Sequence, residues 1–415
     1  VTTTAVPTDL LTRFRPLLDR IAAGAREREA TRRLPLAEAR ELAALGLGAL
    51  RVPEEFGGSG ASLRQLFELL VELGAAESNL VQAFRVHFRF TEDRWEERDT
   101  ARGRLWLGRI GEGAVIGNAT SERSGNVRGR TNTTLREAGG RLLLNGTKYY
   151  STGSLYADWI SVAVQRGEGD RITALVPRDA PGLELLDDYT GFGQRLSGSG
   201  TTVLTDVEVD PAHVIPQVRR HAGTTSIVQL VHLATLAGIA RRAVDEAAEF
   251  VRRRRRSYGH GSADLPAEDP LVQQVLGRVD AIAHTTRQIV LAVADDLDTA
   301  KNARWAVKAD PTPAAEEQVR ELEQRAELGV LRAQSVVIDQ VLHATTEIFE
   351  VGGASAVEEN LRLDRHWRNA RVLSSHNPAI YRERQIGEHL LTGVLPVSFP
   401  SVGVAPSLLA EELSS

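Results

Sequence analysis

Cysteine is absent from all 415 residues, which removes disulfides and thiolate metal sites together. It also fits a cytoplasmic protein, the expected location. Methionine is absent too, where ordinary usage predicts several in this length. A chain mass above 45.2 kDa by whole methionine residues would mean that Met had been lost from the written sequence. No apolar run approaches the roughly 20 residues that cross a bilayer. The first 29 residues carry no signal-peptide core and read as a polar lead into an amphipathic helix. A net charge of −5 and a pI near 6.1 give no case for nucleic acid or an anionic membrane as partner. No two histidines have HExxH spacing, and with no thiol to help them no metal site is expected.

What is present is ordinary for a globular chain, 42% hydrophobic and 25% charged, and long enough for two or three packed units. Three zones and a tail follow one another. Residues 1–112 read as an N-terminal helical domain: "LPLAEARELAALGLGALRVP" and "SLRQLFELLVELGAAESNLVQAFRVHFRF" have helical apolar spacing, with Ser62 as N-cap and Gly74 as a break. Residues 113–222 read as a β domain of short β-branched and aromatic segments, with turns at Asn145-Gly146, "GEGD" (167–170) and "APG" (180–182). Residues 223–396 return to long amphipathic helices and predict an antiparallel bundle, and 397–415 form a Pro- and Ser-bearing tail. Helices, sheet, then bundle place a cleft between the β domain and the bundle, where ligands commonly bind.

Several stretches carry chemistry-bearing residues. "NGTKYYSTG" (145–153) sets Tyr149 and Tyr150 beside Ser151 and Thr152. Taken alone, a strand with ordinary aromatic packing is the commoner explanation; the functional one is an aromatic platform with a hydroxyl beside it, suited to a flat heteroaromatic ring needing a hydrogen-bond donor. "IGNATSE" (116–122) offers Asn118, Thr120 and Ser121 at a strand exit, either to cap it or to read the polar edge of such a ring. "GFGQRLSGSGTT" (191–202) lacks the strand-then-helix context of a dinucleotide loop, but its glycines permit Ser199 and backbone N–H groups to approach a ligand. "RRRRRSYGHG" (252–261) reads as a solvated helix end or a phosphate site, and "EVGGASA" (350–356) as a turn or a second phosphate contact. His87 falls on an apolar helix face, where a satisfied core histidine is the commoner fate. The stretch "RHWRNARVLSSHNPAIY" (365–381) is dense in Arg, His and Asn, yet holds no Asp or Glu.

In this order, "VPEEFGG", "NGTKYYSTG", "GFGQRLSGSGTTVLTDVEV" and "RRRSYG" resemble the acyl-CoA dehydrogenase superfamily, over about Leu10 to Thr392. The resemblance implies an α+β fold: an N-terminal helical domain, a central β-barrel domain and a C-terminal four-helix bundle, in a homotetramer with flavin between domains and subunits. It implies that Tyr150 and Thr152 face the flavin and that Asn118, Thr120 and Ser121 read its pyrimidine edge. By the same token Arg255, Tyr258, Gln273, Gly352 and Gly353 hold the distal part of the cofactor from a neighbouring subunit. Where the dehydrogenases carry a glutamate that takes the substrate's α-proton, this chain reads His376-Asn377-Pro378. Asn377 has no lone pair basic enough for that work.

"RNARVLSSHNP" resembles instead the flavin-dependent monooxygenase branch of the superfamily, dibenzothiophene monooxygenase-like. That branch implies reduced flavin, commonly FMN, delivered by a separate reductase, and O2 forming a C4a-(hydro)peroxyflavin. His376 would stabilise that species, with Asn377 beside it and Thr152 and Ser199 on the flavin. His87 and Tyr189 would line the substrate side, and Leu373 stands where another member has a second histidine. The substrate expected is small and apolar, with sulfur or nitrogen to oxidise. Two alternatives stay open: an acyl-CoA dehydrogenase with FAD and a base from another helix, and a catalytically silent flavin-binding scaffold.

Overall fold

The computed structural model describes residues 8–123, 131–167, 171–216 and 222–396; the expected tail and most of the "GEGD" turn lie outside them. The chain opens with helices α1 (Thr8–Ala23), α2 (Ala25–Thr31), α3 (Leu36–Ala44), α4 (Leu63–Ala76), α5 (Ser78–Glu96) and α6 (Ala101–Gly111). Ser62 caps α4 as expected. Its hydroxyl accepts the Gln65 N–H, and the Gln65 side chain accepts the Ser62 N–H in return. The expected break at Gly74 does not occur: α4 runs through it, and the chain turns at Glu77, whose φ is −158°. Gly74 serves packing between helices. A Cβ there would stand 3.3 Å from the backbone of Thr235 on a later helix, and one on Gly238 would stand 2.5 Å from the Val71 carbonyl oxygen.

Eight strands follow: β1 (Ile116–Ala119), β2 (Thr134–Ala138), β3 (Arg141–Lys148), β4 (Trp159–Gln165), β5 (Arg171–Pro177), β6 (Leu183–Leu185), β7 (Thr202–Val209) and β8 (Val214–Ile215). They form one sheet ordered β6-β7-β3-β2-β4-β5-β8, with β1 parallel to β4. The expected turn at Asn145-Gly146 is corrected here, because those residues lie inside β3. Gly146 has φ +146° at a register shift against β7, and a Cβ on it would meet Thr133 Oγ1 at 2.6 Å. It is a bulge glycine; the β2–β3 turn falls at Gly139-Gly140 instead.

The bundle comprises α7 (Ala222–Arg253), α8 (Pro270–Ala309), α9 (Pro313–Glu347), α10 (Asp364–Ser374) and α11 (Ala379–Thr392). Asp269 and Thr312 cap α8 and α9 through the Leu271 and Ala315 N–H groups. Helix α7 is the hub and touches α4, α5, α8, α9 and α10. Contrary to the expectation from apolar runs, its segment Ser226–Arg253 is long and apolar enough to cross a membrane by composition, but 89% of its most apolar window is buried inside the molecule. One hydrophobic core joins the zones, from Phe14 and Leu70 through Leu144 and Val162 to Leu233, Leu291 and Val337. The cleft of interest is therefore walled by elements that share a core.

Candidate active site

Strand β3 ends at Lys148, and the chain bends through Tyr149–Gly153. Tyr150 sits in the left-handed region at φ +61° and the residue is 53% exposed. Gly153 follows at φ +81°, so close to α5 that a Cβ would stand 2.0 Å from the Ala83 carbonyl oxygen. Only glycine fits there. The exit of β1 lies alongside: the Asn118 N–H donates to the Thr152 carbonyl at 3.3 Å, the Tyr149 N–H to the Ser121 carbonyl at 3.0 Å, and the Thr120 hydroxyl to Asn118 Oδ1 at 2.6 Å. From the other side the glycine- and serine-rich loop brings Ser199 Oγ to 2.9 Å from Thr152 Oγ1 and 2.7 Å from Ser197 Oγ. Ser197 donates to the Gln194 carbonyl, so Ser199 supplies the proton between the two serines, and the Thr152 proton is left for Ser199, for the Tyr150 carbonyl at 3.4 Å, or for a ligand.

That loop is fastened to the helices. Leu196 N–H donates to Asn79 Oδ1 at 3.0 Å, and Gln194 donates through Nε2 to Ser78 Oγ at 2.9 Å and through its N–H to Asn369 Oδ1 at 2.6 Å. The structure thus brings Asn118, Thr120, Ser121, Tyr150, Thr152 and Ser199 together. Tyr189 joins them, its ring 6.5 Å from that of Tyr150.

Helices α5 and α7 and the α10–α11 turn bring a second group of polar residues together. Arg85 lies two residues from Ala83 and directs Nη2 to His376 Nε2 at 3.4 Å. Arginine can only donate, so His376 Nε2 accepts and its proton is on Nδ1. His376 is accessible yet crowded by surrounding atoms; desolvation and then the Arg85 charge push its pKa down to about 3. It is a neutral imidazole at physiological pH. The ring of His232, from α7, stands 4.6 Å from that of His376. His232 is fully buried, burial holds its pKa far below the usual value, and neither ring nitrogen has a hydrogen-bond partner among the described residues. Gln82 Oε1 and Arg85 Nε are also buried without one. Asn377 positions the helix break: its Nδ2 donates to Gln229 Oε1 at 2.9 Å, and its carbonyl accepts from Gln334 Nε2 at 2.6 Å. Buried orphan groups clustered in a cleft mark the place for a ligand.

Other residues fall elsewhere. His87 does not line the cleft as expected. Its Nε2 bonds the Gly48 carbonyl at 2.9 Å, and its Nδ1 accepts the Ile116 N–H at 3.1 Å. Both nitrogens are spent on backbone, so it is the satisfied core histidine. Replacing His87 with Leu is expected to orphan both backbone groups and cost about 2–4 kcal/mol, read by urea unfolding. Burial pushes its pKa down to about 4, so the unfolded chain binds more protons than the folded one between about 6.5 and about 4. Stability contributed here is full above that window and falls as pH drops through it; urea midpoints at pH 7 and pH 5 check the sign.

Leu373 is buried in the core on α10. Arg255, Tyr258 and Gln273 are exposed at the far end of the bundle. Gly352 joins that end because its carbonyl accepts from Arg254 Nη1 at 2.7 Å, with Gly353 next to it. From His232 to Arg253 the helix rises about 32 Å, so one chain cannot bring both ends to one small ligand. A separate cavity of about 420 Å³, lined by Glu55, Phe56, Arg98, Asp99, Arg104 and Trp305, lies beyond the other end of α5.

Three successive models of one family match this chain: acyl-CoA dehydrogenase N-terminal domain at residues 12–92, middle domain at 118–207 and C-terminal domain at 230–379. The chain belongs to the acyl-CoA dehydrogenase superfamily. Among its relatives, a dibenzothiophene monooxygenase of Rhodococcus qingshengii is 28% identical, over 92% of this chain and 93% of that one. Among solved structures, methanesulfinate monooxygenase from Pseudomonas fluorescens superposes with a TM-score of 0.83 at 25% identity, covering 94% of this chain and 99% of that one. TdsC from Paenibacillus sp. A11-2 with FMN and indole gives 0.82 at 26%, covering 94% and 98%. These relatives are monooxygenases of the superfamily, and TdsC among them is solved with FMN bound.

The chemistry of these residues suits a flavin. Tyr150 presents an exposed side chain, Thr152 a hydroxyl that can turn from Ser199 or the Tyr150 carbonyl to a ligand, and Ser151 Oγ and Thr202 Oγ1 are buried without partners among the described residues. Of the groups lining the helical wall, Arg85, His232, Gln82 and Gln229 were not singled out from sequence. A signal was available: Gln82 and Arg85, like Gln229 and His232, are polar residues three apart on otherwise apolar helix faces, hence neighbours on one side.

Proposed function

We propose that this chain takes reduced FMN from a separate reductase and uses O2 to oxygenate a small, largely apolar substrate at sulfur or nitrogen, as a cytoplasmic homotetramer. One oxygen atom enters the substrate and the other leaves as water, with both electrons drawn from reduced FMN. The observation that carries this reading is the accessible, neutral His376, at the place where the resemblance puts a dehydrogenase's carboxylate base. Among the described residues, no Asp or Glu makes a hydrogen bond or ion pair with His376, Arg85 or His232. A carboxylate base is what the dehydrogenase alternative requires.

Bound FMN would supply oxygen activation, and the chain supplies position, dryness and protons. Thr152 would donate its hydroxyl proton to the ring system, oriented by Ser199 and Ser197. Tyr150 would cover the ring, and Asn118 with the β1 exit would meet its polar edge. His376 holds a proton on Nδ1 at the mouth of the cleft, and Asn377 fixes the helix break that carries it. The Arg255 end would serve a cofactor in a neighbouring subunit.

Removing the hydroxyl pair tests the cofactor assignment. The double variant Thr152→Val, Ser199→Ala is expected to raise the FMN dissociation constant at least tenfold, about 1.4 kcal/mol, with unchanged thermal stability. Fluorescence titration of FMN measures it. Unaltered affinity in a folded variant would remove these two residues from the site.

A further inference from the structure

We propose that the cleft takes a substrate bearing a small oxyanion, a carboxylate or sulfinate, and that Arg85 binds it. The proposal rests on the monooxygenase reading for the fate of the substrate, but not for its binding.

Four other buried arginines pair with carboxylates, and a fifth, Arg382, donates to Gln385 Oε1 at 2.9 Å with the charge of Glu327 near it. Arg28 pairs with Glu77 at 3.0 Å, Arg51 with Glu92 at 2.7 Å, Arg94 with Glu97 at 3.5 Å and Arg365 with Glu246 at 2.5 Å. Arg85 is as buried, 6% exposed, yet has no carboxylate partner among the described residues. Its polar contact is the long one to His376, and its Nε has none. Burial and the charge of Arg89 lower its pKa to about 10, still far above neutrality, so it stays cationic. An uncompensated buried charge costs several kcal/mol, and proteins keep such groups where a ligand completes them.

The neighbouring orphans agree with an oxyanion. His232, neutral and unpartnered, carries one N–H that can donate to a second oxygen. The guanidinium fork matches two oxygens on one centre. His376, neutral, adds no competing charge. Because the FMN phosphate is also an oxyanion, the experiment must separate the two sources.

Isothermal titration of the purified chain, with and without saturating FMN, uses methanesulfinate and acetate as anionic probes and dimethyl sulfone as the neutral isostere. The wild type is expected to bind at least one anion tenfold or more tightly than the sulfone. Arg85→Gln should erase that preference, leave the FMN dissociation constant within twofold, and raise the thermal midpoint of the ligand-free chain, because an unpaired buried charge is gone. Arg85→Lys should recover part of the anion affinity. A merely structural Arg85 would lower the midpoint when replaced. Loss of FMN affinity in Arg85→Gln would give the arginine to the cofactor phosphate and overturn the proposal. So would a wild type that binds neither anion in either state. If FMN itself fails to bind, the monooxygenase reading falls, while the titration of the cofactor-free chain still decides this one.

Discussion

Replacing Glu246 with Ala is expected to cost the folded chain about 3–5 kcal/mol, the penalty for leaving a buried cation without its partner. Glu246 lies on α7, 1% exposed, and takes Arg365 through Nη1 at 2.8 Å and Nη2 at 2.5 Å. Arg242 Nε adds a bond at 2.9 Å and His366 Nε2 another at 3.1 Å. These donors overcome the desolvation that opposes ionisation and hold the carboxyl far below the usual range. Without it Arg365, itself 5% exposed, keeps among the described residues only the Arg362 carbonyl to bond. The damage should extend beyond stability, because Arg365 and His366 open α10, whose other end sets His376. Urea unfolding gives the first effect; a loss of FMN-dependent turnover in the fraction still folded gives the second. A variant within 1 kcal/mol of wild type would mean that the network is not what holds α10.

The second large effect is expected at His376. His376→Ala should lower product formed per reduced FMN consumed by roughly 10²-fold, the scale of losing one well-placed donor, with the missing oxygen recovered as hydrogen peroxide. Simultaneous assay of product, peroxide and oxygen uptake reads the partition. The pH profile makes the test sharper. His376 is faced by Arg85 and His232, a cation and a neutral ring, and its pKa lies at about 3. Coupling should therefore stay flat from pH 6 to pH 8. An inflection near 6.5 in the wild type that disappears in His376→Ala would show an imidazolium at work and refute the neutral form.

The order of zones, the Ser62 cap, the loop with Ser199 and the "SHNP" break were legible in the sequence, because each is local: a cap, a β-rich run or a Gly cluster is set by neighbours along the chain. The hydroxyl-bearing residues 150–152 were legible as a group but read as part of a strand, whereas β3 ends at Lys148 and they lie in a bend. What was not legible depends on contacts far along it. Gly74 looks like a helix stop until α7 crosses it. Asn145-Gly146 looks like a hairpin turn until β7 pairs across β3 and leaves a bulge. His87 and His232 both sit on apolar faces, and spacing cannot tell that Gly48 and Ile116 satisfy one while the other has nothing. Arg85 is one arginine among many, and only the missing carboxylate, a three-dimensional fact, sets it apart. Glu246 has its main partners 119 and 120 positions away.

The contact between Gly153 and Ala83 has a consequence for how such a catalyst can diversify. With no room for even one methyl group between bend and helix, the gap on that side is fixed, and any mutation that widens or narrows it would disturb the seat of the ring system as well. Variation in what the enzyme accepts must then accumulate on the opposite side, at α7 and the α10–α11 junction, where side chains can change size while the 150–153 bend stays put. Libraries selected for new substrates should return hits around 229–232 and 373–377, and almost none at 83 or 153.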